Sequence, residues 1–140
     1  SIVKKPKNEA NNFLKKVFKY SLGISTIVFL LSVLLGEFSL LLVFGEEAKN
    51  SINIFYILSP LIIILPMAYL FFNVILLSFK LDKYFSKLYI IGGITNLSMI
   101  FILFQFLEKK IIAVSLSLLI TELLIMLLAY ILIKNKGLMD

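Results

Sequence analysis

At 140 residues the chain has the length of one small soluble domain, but 61% of its residues are hydrophobic and only 16% are charged; with a mean hydropathy of +1.04, a water-soluble surface is excluded. Cysteine and histidine are both absent, which removes disulfide frameworks, Cys/His zinc sites, thiol nucleophiles and every imidazole-based triad. All fourteen basic residues are lysine and six precede the first apolar block, so the net charge of +6 points to a membrane surface rather than to nucleic acid.

Four apolar blocks follow one another, each near or above the roughly 20 residues that cross a bilayer core of about 30 Å. Ahead of them, positions 1–17 read as a cytoplasmic leader. Phe13, Leu14, Val17, Phe18 and Ser21 recur on one side of a helix, with Lys15, Lys16 and Lys19 on the other. That is the pattern of an amphipathic helix at a membrane surface, its lysines snorkelling to the interface or meeting anionic lipid. The chain starts at Ser1 and its first methionine is Met67, from which an internal cut in a longer polypeptide is expected. The first span is expected over 18–44, with Glu37 after Gly36 near its outer end, where a break beside the headgroups would cost little. The second, over 51–79, carries Pro60 and Pro66 and is longer than a bilayer needs, so tilt or a kink is expected. The third covers 88–107 and the fourth 111–133, with a cytoplasmic tail over 134–140. Solid apolar runs do not alternate as barrel strands would, so the predicted fold is an all-α integral membrane protein of four transmembrane helices. The leader, the second loop (Lys80, Lys83, Lys87) and the tail (Lys134, Lys136) together hold eleven lysines, against three in the opposite loops (Lys49, Lys109, Lys110). This asymmetry predicts both termini in the cytoplasm.

Polar groups inside the spans are the candidate functional residues, because an ionisable side chain in mid-membrane costs about 2.5–3.5 kcal/mol on insertion scales. Glu122 lies at the midpoint of the fourth span. Ser115, Glu122 and Ala129, seven apart, define a stripe with small or polar character. Two readings of Glu122 stand open: a carboxylate that exchanges a proton or meets a cation during transport, or a protonated group hydrogen-bonded to a neighbour. Pro66 removes a donor near the centre of the second span and leaves the carbonyl of Ile62 without its usual partner, which makes it the expected hinge. Tyr69 and Asn73 follow it at +3 and +7, on a face that lines a cavity or packs against another helix. Gly92, Gly93 and Asn96 form a small-and-polar patch on the third span suited to close helix approach.

Three segments carry a resemblance: LLVFGEEAKNSINIFYILSPLIII (41–64), NVILLSFKLDKYFSKLYIIGGITNLSMIFIL (73–103) and SLLITELL (117–124). In order and spacing they resemble the C-terminal part of bacterial polysaccharide flippases, within the superfamily of multidrug, oligosaccharidyl-lipid and polysaccharide exporters. NNFLKKVFKYSL (11–22) is similar to the cytoplasmic helix that precedes those spans. One segment departs, since LEKKIIAV (107–114) stands where the family shows a glycine-rich helix start.

The resemblance implies the last part of the second lobe of a two-lobed exporter in the bacterial plasma membrane. It implies a transporter rather than an enzyme, one that moves a polyprenyl-diphosphate-linked glycan for cell-surface polysaccharide biosynthesis. Its partners would be membrane lipids and the N-terminal part of the same transporter. No cofactor is expected, and no glycine-rich phosphate loop ending in Gly-Lys-Ser/Thr occurs. Glu122, Asn73, Tyr69 and Asn96 are the transport or coupling candidates. The alternative is a complete small four-helix proton-coupled multidrug exporter acting as a dimer; the essential acid of such exporters lies in the first span, whereas the central acid here is in the fourth.

Overall fold

The lysine-rich leader and the first apolar block share one helix. In a computed structural model describing residues 7–137, α1 runs Lys7–Phe44 without interruption. At 1.5 Å per residue this is about 57 Å, nearly twice the hydrocarbon thickness of a bilayer. Its early turns are amphipathic as expected: Ala10 and Leu14 are buried, Val17, Phe18 and Ser21 are half-buried, and Lys15, Lys16 and Lys19 are exposed. Phe13, expected on the inner side, is 41% exposed. Lys4 and Lys5 lie outside the described residues.

No break occurs at Gly36–Glu37. Gly36 instead marks a close approach, because the ring of Phe55 occupies the space a Cβ would take. The helix ends where Gly45 adopts φ +64°, a left-handed conformation glycine enters without penalty. A 3₁₀ turn over Gly45–Ala48, with Lys49 paired to Glu46, then reverses the chain into α2 (Lys49–Leu58). The Tyr56 hydroxyl donates to the carbonyl of Val33 at 3.4 Å, which holds α2 back against α1.

The interruption of the second apolar block falls at Ser59–Pro60. Proline at 60 has no N–H for the carbonyl of Tyr56, and the Ser59 hydroxyl donates to that oxygen instead at 2.8 Å. Helix restarts as α3 (Leu61–Tyr69) and passes through Pro66. Four residues later it widens into a π-helical segment, Leu70–Leu76, which ends in bonds of i to i+5 type such as Leu77 N–H to Phe72 carbonyl at 3.2 Å. Lys80 turns at φ +57°, and α4 (Asp82–Phe106) begins six residues before the apolar run that defined the third span. Charged residues are good helix formers at an exposed end, so hydropathy located the membrane-embedded part and not the helix itself. The Lys110 ammonium donates to the carbonyl of Phe104 at 2.8 Å across the turn into α5 (Lys110–Asn135).

Glu9–Leu58, Asp82–Phe106 and Lys110–Asn135 each contain a window long and apolar enough to cross a membrane; the first includes the reversal at Gly45, and α1 is its long limb. Leu61–Leu76 is a shorter apolar helix. With no strand among the described residues, this is an all-α membrane architecture. Of the three candidate spans α5 is the most enclosed and the one formed by α1 and α2 the least, with Leu34, Phe38 and Leu42 of α1 all more than 60% exposed. Apolar side chains face outward there because lipid, unlike water, imposes no cost on them. The core joins Leu14 of α1, Phe71, Phe72 and Leu76 of the π segment, Leu88 of α4 and Ile133 of α5. The start of α1, the start of α4 and the end of α5 therefore meet at one end, which gathers Lys15, Lys16, Lys19, Lys80, Lys83, Lys87, Lys134 and Lys136. Lys49, Lys109 and Lys110 lie at the turns of the other end.

Candidate functional site

α4 and α5 pack through small residues. Gly92 is buried, and a Cβ there would meet Ile125 Cγ2 at 3.1 Å. One turn on, the carbonyl of Asn96 accepts from the Ser117 hydroxyl at 2.8 Å, and Asn96 Nδ2 donates to Thr121 Oγ1 at a longer 3.5 Å. The enclosed face of α5 is Ala113, Ser117, Thr121, Ile125, Ala129 and Ile133, a repeat of four with small residues at four of six positions. The expected stripe of Ser115, Glu122 and Ala129 is only partly this face. Ala129 is fully buried within it, whereas the buried Ser115 hydroxyl bonds within its own helix to the carbonyl of Ile111, and Glu122 sits half-buried at the edge. A spacing of seven drifts by about 20° per repeat on a straight helix, so it marks a neighbouring stripe and not the line of closest approach.

That edge position places Glu122 in two adjoining open grooves. The first, about 440 Å³, is lined by Pro66, Tyr69 and Asn73 together with Tyr89, Glu122 and Ile125. The second, about 300 Å³, shares Tyr89, Glu122 and Ile125 and adds Gly92, Asn96 and Thr121. Tyr69, Asn73, Asn96 and Glu122, dispersed over fifty residues of sequence, thus border one continuous depression, with Pro66 in its wall. Among the described residues Glu122 makes no hydrogen bond or ion pair with any neighbour. The π segment carries Asn73, while its other residues Phe71, Phe72, Ile75 and Leu76 anchor it in the core. A π-helical turn offsets the side chains that follow relative to an α-helix, and such turns recur at functional sites.

Tyr89 was not among the expected residues. It is half-exposed, touches both grooves, and leans on Phe72 and Phe85 with ring centroids 5.1 and 4.8 Å away. Its position three before Gly92 and seven before Asn96 was the available signal, since that spacing puts a phenol on the small-and-polar face of α4. A groove of similar size between α1 and α2 is lined by Val28, Leu31, Leu35 and Phe55 with no ionisable side chain. The chemistry of the molecule therefore concentrates around Glu122, where one carboxyl, two phenols and two amides can bind a polar or cationic group or hold a proton. No protein-family profile, no curated protein and no solved structure matches this chain.

Proposed function

We propose that the chain is the last part of the second lobe of a two-lobed membrane exporter that flips lipid-linked oligosaccharide for surface polysaccharide biosynthesis. The observation that carries this reading is the meeting of Asn73, Tyr69 and Asn96, across two adjoining grooves, around the carboxyl of Glu122, which has no partner among the described residues and stands at the middle of an apolar helix long enough to cross a membrane. Intramembrane polar groups that face a cavity mark substrate or ion paths. Two grooves of about 440 and 300 Å³ are too small for an oligosaccharide with its diphosphate, so they form part of a cavity closed by the other lobe. The resemblance in segments 41–64, 73–103 and 117–124 supports the substrate class. Deletion of the gene is expected to abolish surface polysaccharide and to leave its lipid-linked precursor on the cytoplasmic face of the membrane, with recovery on re-expression. Normal polysaccharide in the deletion strain would refute the reading; sensitivity to cationic dyes in its place would favour the small dimeric exporter.

In this proposal the chain crosses the bacterial plasma membrane four times, with α2, α3 and the π segment together making the second crossing and both termini in the cytoplasm. The gathering of eight lysines at one end and three at the other supports that orientation. Single cysteines at positions 49 and 109 should react with an impermeant maleimide added to intact cells, and those at 83 and 136 only after permeabilisation. Labelling at 83 from outside would reverse the orientation.

A further inference from the structure

A third groove, about 240 Å³, opens between α4 and α5 at the lysine-rich end. Its floor is apolar, made by Leu88 and Ile91 of α4 and by Leu128, Ile131 and Leu132 of α5, and its rim carries Tyr84, Lys87 and Asn135. Polarity is graded along it. Ile91 and Leu128 lie farthest from the lysine-rich end along their helices, and one to two turns toward that end the lining changes to Lys87, Tyr84 and Asn135. The ammonium of Lys136 stands 5.0 Å from the centre of the Tyr84 ring, over its face, which adds a second cation to the same rim. Neither Lys87 nor Lys136 is paired with a carboxylate among the described residues.

We propose that this groove holds the headgroup-proximal part of one acyl chain of an anionic phospholipid whose headgroup phosphate is met by Lys87 and Lys136. An apolar trough that ends in two cations matches the order of groups along such a lipid, and basic pockets between transmembrane helices at a membrane face bind anionic headgroups. A zwitterionic lipid presents the same tail but cancels the headgroup attraction, so the lysines discriminate by net charge. This inference depends on the chain's residence in a membrane and not on what it transports.

The test uses the full chain purified in mild detergent, titrated with phosphatidylglycerol or phosphatidylcholine, with bound lipid counted by native mass spectrometry. Phosphatidylglycerol should bind and phosphatidylcholine should bind far more weakly. Replacing both cations, Lys87→Gln with Lys136→Gln, should weaken phosphatidylglycerol about fivefold per lysine and roughly 25-fold in all, while Lys109→Gln at the opposite end should leave it unchanged. Ile131→Trp, at a half-exposed position in the trough, should weaken binding with both lysines intact by filling the space of the tail. Equal binding by the double-lysine variant and the wild type would overturn the proposal, as would equal binding of the two lipids. Displacement by water-soluble glycerol 3-phosphate at concentrations matching the lipid would also overturn it, since the tail would then contribute nothing. Both lysines are exposed, so their replacement leaves the core intact and the test survives even if the tryptophan variant fails to fold.

Discussion

Under the proposed function, Glu122→Gln is expected to abolish restoration of surface polysaccharide in a strain lacking this gene while leaving the protein inserted and abundant. Glutamine keeps the shape of glutamate and can hydrogen-bond, but it cannot ionise. If Glu122 only held helices together, glutamine would serve as well, and Glu122→Leu would chiefly lower abundance. The geometry separates these outcomes in advance. Among the described residues Glu122 makes no hydrogen bond to a neighbouring helix, whereas Ser117, Thr121 and Lys110 of α5 each bond to α4. A contact of that kind averages only about 0.6 kcal/mol within membranes, so even its loss would rarely prevent folding. Normal export by the glutamine variant at normal abundance would remove proton or cation coupling from Glu122.

The second large effect is structural and uses two adjacent glycines as their own control. Gly92→Leu should destabilise the chain by about 1–3 kcal/mol, because the added side chain must enter a helix contact already filled by Ile125. Gly93→Leu should be close to neutral, since no neighbouring atom lies within 4 Å of a Cβ at that position. The two substitutions change helix propensity equally, so any difference between them reports the α4–α5 contact alone. Gly92→Ala should fall between, needing Ile125 to yield by only a few tenths of an ångström. Thermal unfolding in detergent, followed by loss of the monodisperse peak, measures all three. Indistinguishable midpoints for Gly92→Leu and Gly93→Leu would mean that α4 and α5 do not pack as described.

Position 92 also shows why sequence and structure divide the problem as they do. In the amphipathic start of α1 the inward positions Leu14, Val17, Phe18 and Ser21 could be read, since lysines on the opposite side break the symmetry of the helix, though Ala10 was missed and Phe13 is exposed. Further along the chain the same method loses its contrast: α4 and α5 are apolar all round, and lipid accepts leucine as readily as a neighbouring helix does. Composition and charge by themselves determined the membrane setting, the apolar blocks and the lysine-rich ends, because those follow from transfer free energies summed over many residues. They also singled out Glu122, Asn73, Tyr69 and Asn96, because a polar group in lipid is costly wherever its helix faces. Only the tertiary structure decided that these four border one depression, that Tyr89 joins them, and that Ser117 and Thr121 rather than Glu122 tie α5 to α4. It likewise placed the interruption of the second block at Pro60 and carried α1 unbroken past Glu37. Those outcomes depend on which faces meet and at what height, and a helix uniformly apolar around its circumference carries no periodic signal of either.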